Sequence, residues 1–261
     1  MSPTIFQIGP FALRWYGLMY VLAVVAGAWL VNREAQRTRL PITFDEIMNF
    51  GILVMFAGIA GGRAYYVAFN WDFYARHPGE SLQIWHGGLA IHGGLVTGVL
   101  AGWLYLRKHP VPLWPFADAV APAIMLGQVF GRFGNFMNGD AHGVPTSLPW
   151  GVVFPPASIA GRQFPGQPIH PVMLYELALN LFFFLVMMRL RLRPHRPGFI
   201  FCLYFVFYAL SRAAVTGWRA DDLWLGPVRA PYVASAVMVA LFGFIIWRWR
   251  LWEGEGKVTR R

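Results

Sequence analysis

The chain has 261 residues, of which 57% are hydrophobic and only 13% are charged, and its mean hydropathy is +0.46. Average soluble domains are about 25% charged, so this composition excludes an ordinary soluble domain and indicates a polytopic membrane protein. The single cysteine, Cys202, excludes an internal disulfide and a cysteine metal site. The net charge of +10 would suit an anionic partner such as nucleic acid or lipid, and the positions of the charges decide between them.

Apolar runs long enough to cross about 30 Å of hydrocarbon predict an all-α protein with about seven transmembrane helices. In chain order we expect them at residues 11–31, 47–67, 87–106, 114–130, 171–188, 199–215 and 228–247. Residues 138–170 are rich in proline, which predicts a small outer cap with short strands near residues 150–154. The cap would be an insertion between the fourth and fifth helices of one transmembrane domain, residues 1–261.

Basic residues cluster after the first, third, fifth and seventh predicted helices. Because cytoplasmic connections carry an excess of Lys and Arg, this alternation places the N-terminus outside and the C-terminus in the cytoplasm. The same anchors account for most of the net charge, so no nucleic-acid partner is expected. They are Arg33, Arg37, Arg39, Arg107, Lys108, Arg189, Arg191, Arg193, Arg196, Arg248, Arg250, Lys257, Arg260 and Arg261.

Several polar residues lie in or beside the apolar helices and map to the outer half of the membrane. Ionisable groups are costly in lipid and commonly mark functional sites, so we expect one cavity open toward the outer leaflet. These residues are Arg63, His92, Arg132, Asn135, Asn138, His170, Glu176 and Arg212. Asp118, at the inner end of the fourth helix, is interpreted as a structural acid that can pair with a cytoplasmic-side arginine.

The fourth helix combines two different faces. At about 100° per residue, Gln128, Arg132 and Asn135 share one polar face, which is predicted to point into the bundle. A separate stripe of small residues would allow a neighbouring backbone to approach closely. The stripe consists of Gly127, Gly131 and Gly134.

Five ordered segments resemble motifs of the prolipoprotein diacylglyceryl transferase family, and residues 148–155 resemble its outer loop. The motif segments are residues 14–20, 61–63, 92–95, 131–140 and 170–176. Two positions depart from the family pattern. Asp140 stands where glutamate is usual, and Thr216 stands where an acid is common, although Arg219 keeps the following arginine.

The resemblance implies a multi-pass enzyme of the bacterial cytoplasmic membrane, with no cofactor and no metal. Its implied partners are the lipid bilayer, phosphatidylglycerol and prolipoprotein signal peptides. The enzyme would transfer the sn-1,2-diacylglyceryl group from phosphatidylglycerol to the lipobox cysteine thiol, forming a thioether and releasing glycerol 1-phosphate. The implied catalytic residues are His92, Arg132 and Arg212. The implied substrate-binding residues are Tyr16, Arg63, Asn135, Asn138, Asp140, His170, Glu176, Tyr208 and Arg219.

The residue types suit this chemistry. The planar guanidinium of arginine can bind two phosphate oxygens and stabilise the charge of a phosphate leaving group. A free thiol has a pKa of about 8.5, so the acceptor cysteine needs a base or a positive field. His92 is the best-placed base, although an arginine field could serve instead.

Structural interpretations remain open for the same residues. Arg132 could tie its helix to Asp140 or Glu176, Glu176 could pair with Arg63, and His92 and Tyr16 could be interfacial groups. His170 could cap a helix or anchor a loop, and Arg219 could form a solvated salt bridge with Asp221 and Asp222. Cys202 is interpreted as a lipid-facing or core residue, so transfer would be direct.

Two other functions are weighed against the transferase. Buried arginines and histidines could select anions in a transporter or channel. The long cap and the lack of a recognisable internal repeat argue against that class. A metal-dependent lipid-processing enzyme is disfavoured because Asp118, Asp140 and Glu176 lie far apart or on opposite sides.

Overall fold

A computed structural model of the protein describes residues 3–9, 11–84 and 87–254. The helices are α1 (Trp15–Thr38), α2 (Phe44–Phe69), α3 (Trp71–Tyr74), α4 (Ile91–Lys108), α5 (Leu113–Asn138), α6 (Ile159–Gln163), α7 (Val172–Leu190), α8 (Phe199–Thr216) and α9 (Ala230–Arg248), with a 3₁₀ helix at Pro78–Leu82. Two antiparallel hairpins pair β1 (Thr4–Ile8) with β2 (Phe11–Arg14), and β3 (Trp224–Leu225) with β4 (Val228–Arg229).

All seven predicted helices are present, as α1, α2, α4, α5, α7, α8 and α9. Within the described ranges, six helices are long and apolar enough to cross a membrane, and α4 is not among them. The prediction of about seven transmembrane helices thus exceeds this count by one, since the 18 residues of α4 include His92, Arg107 and Lys108, which lower its mean hydropathy. The predicted class, a multi-pass α-helical membrane protein, is confirmed.

Two predicted helix boundaries also needed correction. Residues 11–14 continue the first apolar run, but they form β2 and pair with β1, so α1 begins at Trp15. The fourth predicted helix extends beyond residue 130 to Asn138, which places Arg132 and Asn135 in its last turns.

Most of the described basic residues predicted to anchor the topology lie at or shortly beyond the C-terminal ends of α1, α4, α7 and α9. Arg37, Arg189 and Arg248 occupy the last turns of α1, α7 and α9, and Arg107 and Lys108 end α4. The orientation inferred from this pattern stays a prediction. Lys257, Arg260 and Arg261 lie outside the described residues.

The described residues divide into two compact units, one within Met1–Val31 and Ala117–Arg261 and the other within Asn32–Phe116. In the second unit, α2 and α4 cross at glycines of two of the motif segments. A Cβ atom on Gly93 would overlap the carbonyl oxygen of Gly61, so the helices approach at backbone distance there. Thr97 Oγ1 adds a hydrogen bond of 2.8 Å to the carbonyl of Ala57.

In the first unit, side chains of α5, α7 and α8 form a hydrophobic core, where Met125, Met187 and Ile200 are fully buried. Asp118 links α5 to the start of α8. Its carboxylate accepts hydrogen bonds from the amides of Gly198 (2.7 Å) and Phe201 (2.8 Å), which satisfies donors that have no partner within the helix. The structural interpretation of Asp118 is thus confirmed, and its pairing with an arginine stays a prediction.

The segment predicted as a cap, residues 138–170, folds without a regular strand. Among the described residues, β-type pairing in this segment is limited to isolated bridges. Pro145 and Val152 each form one with Ile169, and Gly143 forms one with Arg219. The strands expected near residues 150–154 are thus reduced to one bridge at Val152, because prolines interrupt the ladder. A small core under the segment is formed by Phe154, Ala160, Ile169, Val172 and Met173.

Candidate active site

The polar face of α5 points toward α7 and α8, as predicted. Gln128 donates a 2.7 Å hydrogen bond to the hydroxyl of Tyr204 on α8, and Arg132 forms an ion pair with Glu176 on α7. The glycine stripe behaves differently from the prediction. A Cβ on Gly134 would meet the ring of Tyr16 at ordinary contact distance, and nothing lies within 4 Å of one on Gly131. The stripe therefore faces side chains and open space rather than a close backbone.

The C-terminal end of α5 carries the first part of the site. Gly139 has φ +70°, a left-handed conformation that glycine adopts without strain, and it turns the chain so that Asp140 faces back toward the helix. Asn135 donates to Asp140 at 2.8 Å, and Asn138 does so at 3.3 Å. The hydroxyl of Tyr16 accepts a hydrogen bond from Asn135 and donates to Asp140 at 3.3 Å. Four predicted site residues thus form one network.

Glu176 is the centre of the second part. Its side chain is only 2% exposed, and it forms ion pairs with Arg132, with Arg212 at 3.5 Å and with Arg219 at 3.0 Å. A buried carboxylate needs such partners, because an unpaired charge away from water is costly. Arg132 also donates to Asn135 at 3.3 Å, which joins this cluster to the Tyr16–Asp140 network.

The three arginines differ in how their donors are used. Arg219 donates to both carboxylate oxygens of Asp221, at 3.0 and 2.8 Å, and to Glu176. Burial alone would lower the pKa of Arg219, but the carboxylates of Glu176, Asp221 and Asp222 outweigh it and raise that pKa above its ordinary value. Arg219 is therefore permanently charged, and all three of its nitrogens have acid partners.

Arg132 and Arg212 have more capacity left for a ligand. Their side chains are 21% and 15% exposed, compared with 7% for Arg219. Nη2 of Arg212 pairs with Asp222. Nη1 is buried 3.5 Å from Glu176, and it has no hydrogen-bond partner in the part of the chain that the structure describes. A buried donor of this kind favours binding of an acceptor oxygen.

The side-chain interactions seen for His170 and Tyr208 among the described residues are with aromatic side chains. The ring of His170 lies 5.9 Å from that of Trp218, and its Nδ1 is 3.3 Å from the hydroxyl of Tyr175. Burial lowers the pKa of His170, which disfavours the charged form of the ring. Tyr208 stacks on Tyr204, with ring centroids 6.3 Å apart. The predicted binding roles of His170 and Tyr208 stay predictions.

Arg63 and His92 belong to the second unit. The guanidinium of Arg63 donates to four backbone carbonyls, those of Ser81, Gly87, Gly88 and Glu80, at 2.5–3.0 Å. These bonds hold the loop that precedes α4. His92 is exposed in the first turn of α4, and its ring centroid is 6.1 Å from that of Tyr65. The predicted shared cavity stays a prediction.

Two residues of the arginine network were missed as site residues by the sequence interpretation. Asp222 was assigned to a solvated salt bridge, but its side chain is only 2% exposed and pairs with Arg212, Arg219 and Arg229. Arg229 was not considered. It donates to the carbonyl oxygens of Thr216 and Arg219. The sequence did contain one indication of this role: the acids Asp221 and Asp222 follow shortly after Thr216, which stands where the family commonly has an acid.

The comparisons agree with the motif resemblance. The model of the prolipoprotein diacylglyceryl transferase family matches residues 3–249. The phosphatidylglycerol-prolipoprotein diacylglyceryl transferase of Synechococcus elongatus is 39% identical, over 99% of this chain and 91% of the relative. The proteins of that name from Thermosynechococcus vestitus and Bacillus cereus are 38% and 37% identical, over 93% and 97% of this chain and 90% and 94% of their own lengths. The chain therefore belongs to the prolipoprotein diacylglyceryl transferase family.

Proposed function

We propose that this protein transfers the sn-1,2-diacylglyceryl group of phosphatidylglycerol to the lipobox cysteine of prolipoprotein signal peptides. The observation that carries the proposal is the convergence of Arg132, Arg212 and Arg219 on the buried Glu176, with Nη1 of Arg212 lacking a hydrogen-bond partner among the described residues. The names of the relatives support phosphatidylglycerol and prolipoproteins as substrates.

The reaction replaces one bond at a primary carbon. The thiolate of the acceptor cysteine attacks the glyceryl carbon that carries the phosphate, a C–S bond forms and the C–O bond breaks. The electron pair of the broken bond goes to the phosphate oxygen, so negative charge grows on the phosphate as glycerol 1-phosphate leaves. A preorganised donor at that oxygen stabilises the transition state more than the bound lipid.

In this proposal, Arg132 binds the phosphate through the donors that Glu176 does not use. Arg212 binds it through Nη1, which lies 3.5 Å from Glu176 without a hydrogen bond to it. Glu176 and Arg219 hold the guanidinium groups in place, because both oxygens of Glu176 are already taken by arginines. Tyr16, Asn135, Asn138 and Asp140 fix the end of α5, which carries Arg132. His92 takes the proton of the thiol. The site faces the outer leaflet, with the N-terminus outside and the C-terminus in the cytoplasm.

Incubation of the purified protein with phosphatidylglycerol and a lipobox peptide tests the proposal. We expect the peptide to gain the mass of one diacylglyceryl group, with one glycerol 1-phosphate released for each adduct. The reaction should proceed equally with a chelator present, because no step of the proposal uses a metal. A peptide of unchanged mass would contradict the function. Loss of the adduct on chelation, with recovery on adding a divalent ion, would contradict the metal-free mechanism.

The pH dependence of a His92→Gln variant tests the proposed base. We expect a larger loss of turnover at about pH 6.5 than at about pH 9, because higher pH generates the thiolate without help from a base. His77→Gln is the matched control, since His77 is an exposed histidine of the same unit that stacks on Phe73. A loss that is equal across this pH range would instead assign His92 to positioning.

A Cys202→Ser variant should keep an activity close to that of the parent. Cys202 is buried near the start of α8, and Arg212 lies ten residues later on the same helix. At about 1.5 Å per residue, the two are separated by about 15 Å along the axis, too far to act on one carbon. Mass spectrometry of the protein during turnover provides the check. A diacylglyceryl adduct on Cys202 would require a two-step mechanism.

A further inference from the structure

Asp222 has the surroundings of a site residue although it lies in the short segment between α8 and β3. One carboxylate oxygen, Oδ1, pairs with Nη2 of Arg212 and lies 3.5 Å from Nε of Arg219. The other oxygen, Oδ2, lies 3.8 Å from Nη1 of Arg229. With 2% of its side chain exposed, Asp222 is screened from water, so its charge acts strongly on these arginines.

Helix α8 supplies Arg212 but no acid beside it. Thr216, one turn later, is fully buried, and its hydroxyl donates to the carbonyl of Arg212 at 2.7 Å. The negative charge next to Arg212 comes instead from Glu176 on α7 and from Asp222 beyond the end of α8. Arg229 holds the connecting turn, because it donates to the carbonyls of Thr216 and Arg219.

The contacts of Arg212 fix the orientation of its guanidinium group. Nη2 is held by Asp222, and Nη1 lies 3.5 Å from Glu176 without a hydrogen bond among the described residues. Because the guanidinium is planar, holding Nη2 also sets the direction in which Nη1 points. A displacement of about 1 Å in such a group can lower a rate by about 10²-fold.

We propose that Asp222 is a positioning residue that orients Arg212 so that Nη1 meets the phosphate of the lipid substrate. This inference rests on the proposed function. It gives Asp222 the role of the acid beside Arg212, because Thr216 has no negative charge. Asp221, the neighbouring acid, pairs only with Arg219 among the described contacts and is 39% exposed, so it should contribute little to the orientation of Arg212.

Transfer kinetics of Asp222→Glu, Asp222→Asn and the matched control Asp221→Asn test this inference. Asp222→Glu keeps the charge but moves it by one methylene, so we expect kcat to fall about tenfold with little change in the melting temperature in detergent. Asp222→Asn should lower kcat by about 10²-fold, with a smaller change in the KM for phosphatidylglycerol. Asp221→Asn should remain within about twofold of the parent.

Two results would overturn the positioning role. One is a parent-like kcat for Asp222→Glu, which would mean that charge alone matters. The other is equal kinetics for Asp222→Asn and Asp221→Asn. If Asp222→Asn does not fold, Asp222→Glu still decides the question, since it retains a carboxylate. The parent protein separates the two claims: an inactive parent contradicts the proposed function, whereas an active parent with unaffected Asp222 variants contradicts this inference alone.

Discussion

Arg132→Ala and Arg212→Ala should each lower the rate of diacylglyceryl transfer by about 10²- to 10³-fold, because each removes a preorganised donor from the leaving phosphate. Lysine at either position should restore only part of the rate, since an ammonium group cannot bind two oxygens in the geometry of a guanidinium. The measurement is the initial rate of peptide modification at saturating phosphatidylglycerol, on variants that elute as a single species in detergent.

The alternative explanation is that these arginines matter only as counter-ions of Glu176. The melting temperature in detergent separates the two explanations. Arg132→Ala leaves Glu176 paired with Arg212 and Arg219, so we expect a melting temperature close to that of the parent together with the loss of rate. A loss of rate that is matched by a large decrease in the melting temperature would make Arg132 a purely structural residue. Arg193→Ala, at an exposed arginine after α7, serves as the neutral control.

Glu176→Gln should lower both the stability and the activity of the protein. The substitution leaves three arginines facing one another without their shared acid, and breaking a buried ion pair from one side costs about 3–5 kcal/mol. We therefore expect a clear decrease in the melting temperature in detergent, together with loss of transfer.

Glu253→Gln provides the matched control for Glu176. Glu253 pairs with Arg250 at 3.6 Å, and the Arg250 side chain is 64% exposed, so the pair is worth about 0–1 kcal/mol. The melting temperature of this variant should match that of the parent. Equal melting temperatures for Glu176→Gln and the parent would show that the arginines do not depend on this acid.

Local periodicity was sufficient to predict the helices and the polar face of α5. Helical spacing alone places Gln128, Arg132 and Asn135 on one side. The partners of Gln128 on α8, of Arg132 on α7 and of Asn135 on α1 confirm that this side faces the bundle. The start of α1 could not be predicted in the same way. Residues 11–14 continue the apolar run of the helix that follows, and their pairing with β1 depends on a turn that includes Gly9, with φ +57°.

The acid partners of the arginines were the least predictable part of the site. Asp221 and Asp222 are adjacent in a polar segment, yet their side chains are 39% and 2% exposed. This difference arises because Asp222 packs against Arg212 and Arg229. Both arginines are several residues away in sequence, so no local sequence pattern indicates these contacts. Glu176 was expected to contact substrate, but its surroundings became clear only when α5, α7 and α8 were seen together.

A structure of the protein with phosphatidylglycerol bound would show which groups hold the phosphate. We expect the phosphate of the lipid to lie within hydrogen-bond distance of Nη1 of Arg212 and of the guanidinium of Arg132, while Glu176 and Asp222 keep their arginine partners. A phosphate bound elsewhere, with Nη1 of Arg212 still without an acceptor, would contradict the proposed roles of both arginines.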